Sequence, residues 1–339
     1  MIRLVLATFI GIALLASQVS IGSAQADDFY HGKTINLFIG GAPGAGYDIY
    51  GRLIARHLGK HIPGQPVILP RNMPGGGGQT AAAHVYNIAS KDGLSLGLIR
   101  QELPLSEALG ETMLFETARF NWIGSPDTDV RVVVTWHASG VTSIEDAKKK
   151  EVTMGAVGPS GASGYPDIIN TLLGTRFKTI KGYAGGQAVN LAMERREVDG
   201  RADNAWSSWK SDHGDWLRDK KINLLVQVGL SKSTDLPDVR LLMDLARNPE
   251  DREALKLIST SSSMGHPFIA PPGMPADRIQ ILRRAFDATM SDPAFLEDAK
   301  RQRRPIDPVG GEQLQRIAQE LYAAPQSVKD RANALLRVH

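Results

Sequence analysis

The stretch from Leu37 to Ile54, LFIGGAPGAGYDIYGRLI, constrains the chain most. Residues 35–39 form a short apolar run that suits a buried strand. The run breaks into glycines and a proline before Asp48 opens a segment with apolar residues at helical spacing. The order is strand, loop, helix. Gly40, Gly41, Gly44 and Gly46 let the backbone approach a ligand closely, and the unpaired N–H groups at the start of the following helix carry partial positive charge. Such a turn binds anions. Asp48 reads first as the helix N-cap and second as a ligand contact.

The same device recurs. Pro63-Gly64 ends the helix, residues 67–69 make a second short strand, and a second glycine loop, residues 72–80 with Gly77 and Gly78, leads into an alanine-rich helix. A third strand at 94–99 is followed by Arg100-Gln101. This alternation predicts an α/β domain with a mostly parallel sheet, whose ligands sit beyond the carboxyl ends of the strands, where both glycine loops and Gln101 would lie. The pattern changes near residues 121–129. Strands are expected at 130–136 and 152–157, then a third glycine loop carrying Ser160, Gly161, Ala162, Ser163 and Gly164, then a helix at 166–173. Strands at 177–182, 198–202 and 222–228, with a helix at 187–196, complete a second α/β unit in which Tyr183, Asn204 and Trp206 follow strands. Beyond Ser231 helices dominate, at 239–246, 249–258, 275–290, 293–303, 312–322 and 325–336, with one strand at 268–270.

Composition limits the chemistry. At 339 residues two domains are expected. Arg3, the apolar run 4–16 and Ala24-Gln25-Ala26 predict a cleaved secretory signal peptide over residues 1–26, because the run is too short to span a bilayer. The mature chain would start at Asp27 outside the cytoplasmic membrane. The absence of cysteine removes disulfides, thiolate nucleophiles and cysteine-ligated zinc. The formal net charge of +3 is small and its basic residues are interleaved with acids, which argues against nucleic acid as a partner.

Enzymatic readings fare poorly. Gly40, Gly44 and Gly46 fit a dinucleotide pattern, but no tyrosine has a lysine four residues on, and no lysine follows the glycines to meet a phosphate. Ser160 and Ser163 lack the G-x-S-x-G frame. His57 and His61 stand four apart with no acid to complete a zinc motif, and they read as exposed, as does His213. No catalytic residue, cofactor or metal is expected. Tyr47, Tyr165, Tyr183 and Trp206 are expected around a cleft, whereas Trp209 reads as core.

Residues 41–48 (GAPGAGYD), Asn72 with Pro74-Gly75 and the glycines after it, and Lys91-Asp92-Gly93 resemble the N-terminal signature of the Bug family. These are the extracytoplasmic solute receptors of tripartite tricarboxylate transporters. Residues 182–186 (GYAGG) with Gly200 resemble its middle segment. Residues 271–275 (PPGMP), 286–290 (FDATM) and Asp292-Pro293 resemble its C-terminal part.

The resemblance implies an α/β, two-lobed periplasmic binding protein fold with a ligand cleft between the domains. Domain 1 would be discontinuous, residues 27–128 and 232–339, with the helical tail packed back on it, and domain 2 would be 129–231. It implies a monomeric periplasmic receptor that closes on a small organic carboxylate and delivers it to a large and a small integral membrane subunit. The carboxylate would be held largely by backbone N–H groups and ordered water from two loops, the one made of Pro43, Gly44, Ala45, Gly46, Tyr47 and Asp48 and the one at 160–164, with main-chain donors in place of an arginine clamp. Ala45, Tyr47 and Ala162 depart from the family pattern, which more often has hydroxyl residues or glycine, and with the aromatic residues they suggest a bulky or aromatic ligand. Two alternatives stand beside this: a secreted α/β enzyme using the glycine loops for a phosphate-bearing ligand, and a ligand-sensing periplasmic protein.

Overall fold

Two six-stranded sheets organise the chain. The computed structural model describes residues 29–128, 130–157 and 164–336. The expected signal peptide and Ser160, Gly161, Ala162 and Ser163 lie outside the described residues.

In chain order the elements begin β1 (Thr34–Ile39), α1 (Gly46–Leu58), β2 (Val67–Asn72), α2 (Gln79–Asn87), β3 (Ser95–Leu98), α3 (Leu103–Ala108) and β4 (Asn121–Ser125). Then come β5 (Arg131–Trp136), α4 (Ile144–Lys149), β6 (Val152–Gly155), α5 (Tyr165–Leu173), β7 (Phe177–Ile180), α6 (Gly186–Glu194) and β8 (Gly200–Ala205). They continue with α7 (Trp206–Asp212), α8 (Gly214–Arg218), β9 (Ile222–Val228), β10 (Arg240–Leu241), α9 (Pro249–Thr260) and β11 (Phe268–Ala270). The last are α10 (Ala276–Met290), α11 (Pro293–Arg301), β12 (Val309–Gly310), α12 (Gly311–Ala323) and α13 (Gln326–Leu336).

The first sheet has the order β12-β4-β11-β3-β1-β2 and the second β10-β9-β5-β8-β6-β7. Each contains a parallel trio, β2-β1-β3 in one and β7-β6-β8 in the other. Each trio is then flanked by one strand running the opposite way. That strand is β11 beside β3 in the first sheet and β5 beside β8 in the second. Both sheets are therefore mixed; the first, expected to be mostly parallel, has antiparallel pairings from β3 through β11 and β4 to β12, whereas in the second only β5 is reversed. The reversal arises because β11 arrives from a distant part of the chain and slots between β3 and β4.

Burial follows the strand chemistry. All six residues of β5, the β-branched run RVVVTW, are buried, as suits a central strand covered on both faces. In α1, Leu53, Ile54 and Leu58 face the first sheet and pack with Leu37, Ile39, Leu98 and Phe286. His57 on that helix and His61 in the 3-10 turn after it are not free. They bond to Asp298 and Asp292, both at 3.0 Å, tying α1 to α11 and its N-cap.

Two expectations need correction. Residues 239–246 form β10 and a 3-10 turn instead of a helix, because the buried Gln227 amide donates to the carbonyls of Leu236 and Val239 and holds the segment extended. The second sheet thus reaches past residue 231 to Leu241. The helical tail also divides: α12 packs on β4, whereas α13 packs on α9 and on α5, which follows β6.

Candidate ligand-binding cleft

The carboxyl ends of both parallel trios open onto one cleft of about 360 Å³. The segment after β1 contributes Gly40 to Ala42 and Ala45 to Tyr47, the segment after β2 contributes 74–78, and Arg100 follows β3. From the second sheet come Val157 after β6, residues 182–187 after β7, and Arg201 with 203–205 from β8. Arg131 opens β5 and His266 precedes β11. Because these two strands run opposite to their neighbours, their starts reach the edge where the parallel strands end.

The helix starts at this edge carry free donors. Ala45, not Asp48, is the N-cap of α1, and no side chain caps it. The N–H groups of Gly46 and Tyr47 meet no acceptor among the described residues. Asp48 lies inside the first turn, 4 % exposed, with its carboxylate spent on the Gly44 N–H at 2.8 Å, Arg52 Nε at 2.8 Å and Asn72 Nδ2 at 2.8 Å. It fixes the loop and does not face the cleft. In the second sheet α6 begins after Gly185, again with no side-chain cap.

A buried ladder of charge runs along the cleft. Arg100 Nε donates to Glu102 Oε2 and Arg131 Nη2 to Glu102 Oε1, each at 3.2 Å, so one carboxylate after β3 binds a guanidinium of the second sheet. Arg201 Nε donates to Asp203. Burial alone would raise both acids, but Arg100 and Arg131 outweigh it at Glu102 and Arg201 does so at Asp203, so both sit below the usual carboxylate range. Within this ladder three guanidiniums share two carboxylates, and a third carboxylate, Asp127, bonds His266 at the same edge. Asp212, also at the cleft, is matched by Arg304 at 2.7 Å.

The aromatic lining is smaller than expected. Tyr47 lines the cleft, its hydroxyl accepting from Gln101 N at 3.2 Å and lying 3.4 Å from Gly265 O. Burial, with Glu102 nearby, pushes its phenol up to about 12, so it stays neutral. Its ring packs on His266 at 4.5 Å, and Tyr50 stacks on the same imidazole at 4.2 Å. His266 Nδ1 bonds the fully buried Asp127 at 2.9 Å. Tyr183 lines the opposite wall. Tyr165 is buried in the core, and Trp206 turns its indole N–H to Asp235 at 2.9 Å and packs with Val132 and Trp209.

Of the residues expected at the site, Ala45, Gly46, Tyr47, Gly77, Gly78, Tyr183 and Asn204 line the cleft. Pro43, Gly44, Asp48, Gln101, Gly164 and Trp206 do not. Gln101 sits behind Tyr47, and a Cβ on Gly164 would stand 2.4 Å from Leu336 of α13, so that glycine faces packed helix. His213 is no surface residue: it lines the cleft, and Asn190 Nδ2 donates to its Nε2 at 2.7 Å. Burial holds its imidazole below the ordinary value, which suits the acceptor role. Arg131, Arg201, Asp203, Asn190 and His266 were not expected. Among the described residues no group of acids and histidines is placed to hold a metal ion.

Among solved structures, the periplasmic binding protein BugD is 19% identical, with 90% of this chain and 98% of that one covered and a TM-score of 0.67. The fold is that of BugD. MatC from Rhodopseudomonas palustris, with bound malate, is 16% identical over 88% of this chain and 99% of its own, at a TM-score of 0.65. An R. palustris protein with adipate is 16% identical over 89% and 97%, at 0.67. No protein-family model and no curated protein matches the chain in sequence. BugD-like structure thus accounts for the two-lobed α/β arrangement and for a cleft at the strand ends of both sheets.

Proposed function

We propose that this chain is a periplasmic solute receptor that binds a small organic carboxylate between its two lobes and delivers it to a tripartite transporter with a large and a small integral membrane subunit. One observation carries the reading. The interlobe cleft holds three guanidiniums that share two carboxylates, beside N–H groups at the start of α1 that meet no acceptor among the described residues. A buried positive charge is costly unless an anion completes it, and helix starts favour anions. Malate and adipate in two proteins of this fold support a carboxylate over other anions. The N-terminal pattern of Arg3, an apolar run and Ala24-Gln25-Ala26 supports export to the periplasm.

The ligand would contact Ala45, Gly46, Tyr47, Gly77, Gly78, Tyr183 and Asn204, together with Arg100, Arg131, Arg201 and His266. Contacts from both lobes stabilise a closed state that an open one lacks, so binding and closure are coupled. With Tyr165 and Trp206 in the core, the aromatic lining reduces to Tyr47 and Tyr183, and a bulky aromatic ligand loses half its motive.

Thermal unfolding of the chain from Asp27 onward, measured with mono-, di- and tricarboxylates, sugar phosphates and nucleotides, tests the reading. A carboxylate at 100 times its dissociation constant adds about 2.7 kcal/mol and raises the midpoint by a few degrees. Shifts with phosphates or nucleotides alone would overturn it in favour of a phosphate-binding enzyme.

A further inference from the structure

We propose that Arg304 is a positioning residue for ligand capture: without lining the cleft, it latches one lobe to the other beside it and sets how slowly the receptor releases its ligand. The inference rests on the carboxylate-receptor reading and adds to it the residue that governs release.

Arg304 follows α11, with its N–H bonded back to Ala299 O at 2.9 Å, and α11 packs on α1 of the first lobe. Its guanidinium reaches α7 of the other lobe. There Nη1 donates to Ser211 Oγ at 2.9 Å and Nη2 to Asp212 Oδ1 at 2.7 Å. Ser211 Oγ in turn donates to Asp212 Oδ1 at 2.9 Å, so the two acceptors are held together. The arginine is 7 % exposed, and among the described residues its one acid partner belongs to the opposite lobe. Parting the lobes breaks both bonds at once.

Both ends of this latch are joined to the cleft. Pro305 O, next to Arg304, accepts the Tyr50 hydroxyl at 3.0 Å, and Tyr50 stacks on His266, which lines the cleft from the first lobe. On the other side Asp212 and its neighbour His213 line the cleft themselves. A ligand seated between His266 and His213 therefore steadies both halves of a contact that it does not make. The latch fixes a lobe geometry without locking it. A buried ion pair repays its desolvation poorly, and Arg304 Nε is buried without a partner, so the ligand is needed to tip the balance toward closure. Capture begins in the open form, where the latch is absent, whereas release has to break it. Losing one partner of a buried charge pair acts on dissociation.

Double electron-electron resonance and stopped-flow binding test this. The chain has no cysteine, so spin labels at Lys149→Cys in α4 and Gln280→Cys in α10, both exposed, report the lobe separation alone. Malate, adipate and the strongest carboxylate of the thermal screen serve as probes. Arg304→Gln should lengthen the ligand-free distance and raise the dissociation rate about tenfold, with the association rate changed about twofold or less. Arg304→Lys keeps the charge and should recover part of the slow release. Ser211→Ala removes one acceptor without touching a charge; it should raise the dissociation rate several-fold, and it decides the matter should Arg304→Gln fail to fold.

Distances and dissociation rates unchanged in Arg304→Gln and Ser211→Ala would overturn the latch and leave the receptor reading standing. A lower thermal midpoint alone, or slower association alone, would do the same, since the first marks a structural staple and the second a residue on the entry path. Binding of phosphates or nucleotides and of no carboxylate would overturn the receptor reading, and the ligand-free distances would then decide the latch.

Discussion

Gly78 shows how a single missing side chain shapes the cleft. Its φ is +95°, and a Cβ there would stand 2.6 Å from Arg100 Cγ. Gly78→Ala should therefore cost about 1 kcal/mol or more through backbone strain and also displace Arg100, read as a lower urea midpoint together with weaker ligand binding. Tyr47→Phe is milder. It leaves the Gln101 N–H without its acceptor and should cost about 1 kcal/mol in the same unfolding experiment. At this scale the lining of the cleft was legible where backbone freedom decides, as at Gly77 and Gly78, both with positive φ. It misled where a side chain is spent internally: Asp48 on its own loop, Trp206 on Asp235. Nothing local to those residues announces the partners, since Asp235 lies 29 positions from Trp206.

Helices and strands were readable from periodicity, but their directions were not. The apolar pattern of β5 and β11 marks them as strands, and only the completed sheets show that they run against their neighbours and bring Arg131 and His266 to the cleft. Helix α5 carries a pH signature of its own. Burial pushes Asp167 up to about 6, with Lys181 opposing. A carboxyl raised in the folded state holds its proton more tightly there than in the unfolded chain. Stability from this group is therefore present at low pH and falls as pH rises from the ordinary aspartate range to about 6. Asp167→Asn should flatten that fall, leaving thermal midpoints little changed at low pH and raised above neutrality.

The two sheets are joined by chemistry as well as by chain. Glu102 follows β3 of the first sheet and binds Arg131, the first residue of β5 in the second. Glu102→Gln leaves the buried Arg131 and the half-buried Arg100 guanidiniums without their shared carboxylate and should cost about 3 kcal/mol in urea unfolding, by the general penalty for breaking a buried ion pair. The arrangement of each half repeats, with a parallel trio beside one reversed strand, and in each half a glycine makes room for an arginine, Gly78 for Arg100 and Gly186 for Arg201. That correspondence is structural and could not be seen in the residues, which show no repeat.

The placement of β11 also sets an order of assembly. The second sheet is built from one continuous stretch, Arg131 to Leu241, whereas β3 and β4 have no partner between them until Phe268 to Ala270 arrives. Contacts of high sequence separation form late because the loop entropy comes first. Pulse-labelled hydrogen exchange during refolding should therefore protect amides of β5, β8 and β9 before those of β4, and a chain growing from its amino end must carry an unfinished first sheet past a finished second one.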